Sequence, residues 1–150
     1  MLATVLLCYD GTRESRRALR QGAEVAAACG ASVHLLAVVR PDAGALIGEA
    51  MLGEPPLLEQ KRHIEEILAE GVAQLTERGV SAEGHVAVGE PIDEIARLAR
   101  ALKADLVVLG HRTRSPFARW WHSSVGQTLL DLSPCSLMVC VTPPDESQKP

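Results

Sequence analysis

The sequence predicts an α/β protein, a three-layer sandwich in which a five-stranded parallel sheet carries helices on both faces. Five short apolar runs recur along the 150 residues, and stretches with apolar positions at helical spacing separate them. Glycine or proline punctuates most junctions between them. Strand, helix, strand in regular succession requires parallel strands joined by right-handed crossovers. An open sheet of this kind binds ligands beyond the carboxyl ends of its strands, where the strand order reverses. For the order 3-2-1-4-5, that crevice lies between the first and fourth strands.

The elements follow in sequence. Thr4 to Tyr9 is a continuous β-rich run, as expected of a strand covered on both faces. Asp10-Gly11-Thr12 is a loop, and a helix follows from Glu14 to Cys29, with Ala18, Leu19, Val25 and Ala26 at helical spacing and Gly30 as its stop. Ser32 to Val39 is the second strand, closed by Pro41. The stretch from Arg40 to Pro56 holds Gly44, Gly48, Gly53 and three prolines, so it reads as a long loop or lid. A helix from Leu57 to Arg78 aligns Ile64, Ile67, Leu68, Val72 and Leu75 on one stripe. Ala82 to Val88 is a third strand, whose alternation places it near an edge.

Pro91 opens a third helix. Leu106-Val107-Val108-Leu109 is a fourth strand, read as ending at Gly110, with an irregular segment from His111 to His122 after it. A fourth helix from Ser123 to Leu132 and a fifth strand from Ser136 to Val141 complete the pattern. Residues 1–142 are thus one domain, and residues 143–150 a polar tail.

Composition narrows the function. With 15 basic and 19 acidic residues the net charge is −4, ordinary for a globular domain and unlike a nucleic-acid binder, which needs clustered basic charge. No apolar run reaches the ~18 residues of a membrane span, and a basic stretch followed by a signal core is missing, so a soluble, cytoplasmic protein is expected. The four cysteines, at 8, 29, 135 and 140, form no C-x-x-C pair, and no spacing in the chain suggests a metal site. Cys8 and Cys140 lie in apolar runs and read as small core hydrophobes. His34 and His85 fall within strands and read as packed or edge residues.

The crevice carries the chemistry. Gly110 directly follows a buried strand, and the stretch from there to Ser123 contains Arg112, Arg114 and Arg119 and no acid. A loop whose backbone amides wrap oxyanions, followed by a helix amino terminus at Ser123-Ser124, suits a polyphosphate. Equally, either serine is an ordinary N-cap and the arginines are solvated.

These residues resemble the universal stress protein family. The resemblance rests on Tyr9-Asp10-Gly11-Thr12, Gly89-Glu90-Pro91-Ile92-Asp93-Glu94-Ile95, Ala104 through Gly110, Ser124-Val125, and Ser133-Pro134-Cys135-Ser136-Leu137-Met138-Val139. It implies an adenine nucleotide alpha hydrolase-like fold with the sheet order 3-2-1-4-5 and ATP or AMP as ligand, with Mg²⁺ as a candidate companion ion. ATP-binding members carry Gly-x2-Gly-x9-Gly followed by Ser or Thr. Here Gly110 and Ser124 keep their places, while Thr113 and Ser123 stand where the second and third glycines would be. A side chain at these positions crowds bound phosphate or strains a left-handed backbone, though a hydroxyl also donates hydrogen bonds.

The resemblance assigns Asp10 to a ribose hydroxyl or base amine, and Val38, Leu109 and Val125 to the adenine pocket. It assigns Gly110, Thr113, Ser123 and Ser124 to the phosphates, with Arg112 as an auxiliary contact. On the residues alone, Asp10 is equally an Asx-turn and the apolar residues are core.

The chain contains no G-x-S-x-G elbow, Walker A loop or G-x-G-x-x-G fingerprint. With Asp10 as the one carboxylate expected at the crevice, the reading is a binder or at most a slow hydrolase. Three of four aromatic residues, Phe117, Trp120 and Trp121, lie between Gly110 and Ser123, where they shield phosphate, pack the loop or meet a protein partner. The resemblance further implies a homodimer built through the last strand, whose apolar edge soluble proteins normally protect. Two readings stand: an adenine-nucleotide-responsive regulatory module of the stress response, and a nucleotide-free dimeric interaction module of the same fold.

Overall fold

A computed structural model of the chain describes residues 1–41, 56–112 and 129–143. Its elements are β1 (Thr4–Cys8), α1 (Arg13–Cys29), β2 (Ser32–Val39), α2 (Pro56–Glu77), β3 (Ala82–Val88), α3 (Pro91–Leu102), β4 (Leu106–Arg112) and β5 (Ser136–Thr142). Residues 129–132 are helical. The strands form one sheet in the order β3-β2-β1-β4-β5, as expected, and every neighbouring pair is parallel.

The central position of β1 explains its continuous apolar run. Val5, Leu6 and Leu7 are at most 1% exposed because they serve two cores in alternation. Val5 and Leu7 join Val33, Leu35, Ala18, Leu19 and Leu75 in the layer under α1 and α2. Leu6 joins Leu36, Val107, Ile92, Ile95 and Leu129 in the opposite layer, under α3. The burial of seven large aliphatic side chains and of Val5, Val107 and Val108 makes this two-sided core the main source of folding free energy.

Helix ends follow local chemistry. Thr12 caps α1, its hydroxyl accepting from the Ser15 amide, and Gly30 closes the helix in the left-handed conformation (φ 65°). The edge placement expected for β3 holds: among the described residues it pairs with β2 alone, from Val33↔Ala82 to Val39↔Val88.

One boundary differs from expectation. β4 does not stop at Gly110 but runs on through His111 and Arg112, because β5 pairs with it to the end, Gly110↔Cys140, His111↔Val141 and Arg112↔Thr142. The expected lid from Arg40 to Pro56 lies largely outside the described residues, as do Phe117, Trp120, Trp121 and most of the fourth helix. No described helix is long and apolar enough to cross a membrane.

Candidate functional site

The crevice is built from the turn that follows β1. The Tyr9 amide donates to Leu36 O at 2.8 Å, holding the chain beside β2 one residue beyond the strand's end. Asp10 then folds back on its own turn: its Oδ1 accepts from the Thr12 amide at 3.0 Å and from the Thr12 hydroxyl. This is an Asx-turn, one of the two roles the sequence left open for Asp10. The Thr12 hydroxyl oxygen in turn accepts from the Ser15 amide at 3.3 Å, and the Ser15 hydroxyl donates to Thr12 O at 3.0 Å. A relay of short polar side chains thus sets the amino terminus of α1, with the positive end of its dipole, at the mouth of the crevice.

Gly110 forms the other side, and its lack of a side chain is a packing requirement. A β-carbon built there would meet backbone atoms of the first turn of α1, lying 2.6 Å from Glu14 C and 2.9 Å from Ser15 N. Only glycine lets β4 close on that turn. The close approach also brings Glu14, 7% exposed, to the cavity wall.

Between these walls lies a cavity of about 180 Å³. Asp10, Val38, Leu109 and Gly110, from three separate segments of the chain, all line it. Leu36, Pro91 and Ile95 supply further apolar wall, and Thr12 and Ser15 supply hydroxyls at its polar end. These five were missed as site residues. Thr12 and Ser15 were legible as T-x-x-S at a helix start, whereas Leu36 and Ile95 carry no signal beyond core periodicity.

Cys8 also lines the cavity and is half-buried, not sealed in the core. Burial in apolar surroundings, reinforced by the Asp10 carboxylate, pushes its thiol up to about 12. At neutral pH Cys8 is a neutral wall group rather than a nucleophile.

Arg112 lies two residues beyond Gly110, at the carboxyl end of β4. Thr113, Ser123, Ser124 and Val125, assigned to the phosphates and the adenine pocket, lie outside the described residues. The arrangement as described is a mixed site: an apolar slot with a carboxylate and a helix amino terminus at one end. That arrangement fits an adenosine moiety, whose base presents flat apolar faces and whose ribose offers hydroxyl donors.

Known proteins are similar to the chain in sequence and in fold. Universal stress protein Sll1388 of Synechocystis sp. is 36% identical over 95 residues, which are 63% of this chain and 62% of that protein. The chain thus spans under two thirds of that relative's length. A universal stress protein of Thermus aquaticus, named for the QAH/OAS sulfhydrylase 3' region, is 31% identical over 140 residues, 93% of this chain and 98% of the relative. Among solved structures, a universal stress protein in complex with cAMP superposes with a TM-score of 0.63 at 25% identity, covering 92% of this chain and 96% of the other. A family protein from Arabidopsis thaliana with AMP bound has the same fold, with a TM-score of 0.63 at 17% identity over 99% of this chain and 95% of that one. Of these, the two solved structures hold cAMP and AMP. The family pattern itself matches residues 1–141, and the chain belongs to the universal stress protein family.

Proposed function

We propose that this protein is an adenine-nucleotide-binding regulatory module of the stress response, acting in the cytoplasm. Its ligand is AMP or ATP, and it binds without rapid turnover. The observation that carries this is the convergence of Asp10, Val38, Leu109 and Gly110 on one cavity at the switch point of the sheet. In this reading Val38, Leu36, Ile95 and Leu109 hold the base, and Asp10 receives a ribose hydroxyl through the carboxylate oxygen not used by Thr12. The amino terminus of α1 adds positive potential, and Arg112, Thr113, Ser123 and Ser124 meet the phosphates, with Mg²⁺ where a triphosphate is bound. Binding of cAMP and AMP by family relatives supports the ligand class.

A second reading has its own observations. The Asx-turn and the packing of Gly110 on α1 each explain a retained residue without any ligand. With Thr113 and Ser123 in place of glycines, the same fold then serves as a nucleotide-free interaction module. Equilibrium binding of AMP, ADP and ATP to nucleotide-free protein, with and without Mg²⁺, separates the two. Saturable binding that weakens in Asp10→Ala supports the first reading, and no affinity at millimolar nucleotide overturns it. Replacing Thr113 and Ser123 by glycine then restores binding if side-chain crowding was the cause.

Both readings include a homodimer through β5. This edge strand leaves Val141 54% exposed, and pairing with a second copy would cover it. Sedimentation at micromolar concentration tests this, and a monomer alone overturns it.

A further inference from the structure

The opposite side of the sheet from β5 holds a second group of chemically capable side chains, remote from the crevice. Parallel pairing of β2 with the edge strand β3 sets His34 against Glu83 and Leu36 against His85. Glu83 and His85 are two residues apart on one strand and so share a face. The His34 ring reaches between them: its Nδ1 lies 2.9 Å from His85 Nε2 and 3.7 Å from Glu83 Oε2. One ligand atom from each residue lies within 4.8 Å of the others.

We infer that His34, Glu83 and His85 form a binding site for a divalent transition-metal ion, with zinc as the physiological class and copper(II) as a tighter-binding probe. Two imidazole nitrogens and one carboxylate oxygen are the donor set such ions take, whereas calcium and magnesium require oxygen. The spacing is close to what coordination needs. Two ligands each ~2.05 Å from a tetrahedral zinc lie about 3.3 Å apart. The histidine pair need open, and the His34–Glu83 pair close, by only a few tenths of an ångström. The ligand atoms of His85 and Glu83, within 4.8 Å of each other, are brought to coordination distance by rotation of the Glu83 carboxylate. Glu83 is free to make that movement, since its side chain is 71% exposed, while His34 at 14% is held by the sheet. Three protein ligands leave a position for water, as in zinc sites that remain open.

The site has a structural consequence as well. β3 is an edge strand held on one side only, and its inner neighbour β2 carries His34. A bound ion ties the two strands together through side chains and stabilises the native state by mass action, because the unfolded chain does not bring residues 34 and 83–85 together. No spacing in the sequence announced it: His34 and His85 are 51 residues apart.

The test uses the full chain, stripped with a chelator, its thiols reduced and blocked, and the reductant removed before any metal is added. Zinc is titrated against a chromogenic chelator, and copper(II) binding is read by electron paramagnetic resonance. The expected result is one zinc per chain, a melting temperature that rises with zinc, and a copper spectrum showing two coupled nitrogens. His34→Gln and His85→Gln each weaken zinc binding at least tenfold, and Glu83→Gln, at an exposed position, weakens it less with the fold intact by circular dichroism. The inference is overturned by the absence of stoichiometric zinc binding, or by binding that all three variants leave unchanged. A copper spectrum of the unaltered protein that lacks nitrogen coupling or is dominated by thiolate also overturns it, whether or not the histidine variants fold.

Discussion

Gly110 at the crevice end of β4 rests directly on the backbone of Glu14 in the first turn of α1, with no room between them for a β-carbon. A residue that reads in the sequence as part of a phosphate loop is therefore also the contact that seats a helix on the sheet. The two roles are compatible, since the same contact brings the helix amino terminus to the cavity. They are separable by experiment.

Gly110→Ala forces a methyl group against main-chain atoms that no rotamer change can move. The expected cost is about 3 kcal/mol, at the upper end for overpacking. Urea unfolding in the absence of nucleotide measures it, and a loss below about 0.5 kcal/mol would show that β4 and α1 separate easily.

Asp10 is tested by a pair of substitutions. Asparagine retains the side-chain carbonyl that accepts from Thr12, so Asp10→Asn keeps the turn and most of the stability. Asp10→Ala removes the turn and costs about 1 kcal/mol. If the carboxylate serves a ribose, nucleotide affinity falls in both variants, while stability falls in the alanine variant only.

Cys8 resists alkylation. With its thiol raised to about 12, the thiolate fraction at pH 8 is about 1 in 10⁴. Iodoacetamide labelling followed by peptide mass spectrometry is expected to leave Cys8 unmodified in the folded protein and to modify it in urea. Asp10→Asn removes the second cause of the shift and speeds its labelling.

Acid sensitivity has an identifiable source at the base of the sheet. Asp105 Oδ2 accepts from the amides of Ala3 at 2.8 Å and Thr4 at 2.9 Å, joining the start of β1 to the approach to β4. These bonds favour the charged carboxylate and hold Asp105 below the usual carboxylate range. The unfolded chain then takes up this proton more readily than the native one. The stabilisation is present above the unfolded value and is lost as pH falls below about 4 toward the native value. In Asp105→Asn, melting temperature measured against pH shows a shallower acid decline than in the unaltered protein.

Lys103 ends α3 in the left-handed conformation, at φ 53°, where its own amide and that of Ala104 return to Arg100 O and Ala99 O. A residue with a β-carbon is strained there, and the side chain is exposed. Lys103→Gly is expected to raise stability by about 0.5–1 kcal/mol in urea unfolding. A decrease would show that the Lys103 side chain contributes more than the strain it causes.

Most of the fold is legible along the chain because its signals are local. The runs at Val5 to Leu7 and Leu106 to Leu109 are uniformly apolar since both faces of those strands are covered, and Gly30 and Pro91 mark helix ends by their backbone chemistry alone. The residues Asp10, Val38, Leu109 and Gly110 were also legible as a set, through their resemblance to the family. The end of β4 was not, because the strand continues only by virtue of β5 beside it.

What the sequence by itself determined is therefore the order and type of the elements, the family and the end of the sheet where the cavity lies. Periodicity, turn chemistry and motif spacing act over a few residues and survive in one dimension. Only the tertiary structure decided which side chains share a surface. It showed the missing side chain of Gly110 to be a packing necessity and brought Glu14 to the cavity wall. It also joined His34 to Glu83 and His85 across two strands. Parallel strands must be connected by long crossovers, so the residues that meet across them are dozens of positions apart and leave no spacing to read.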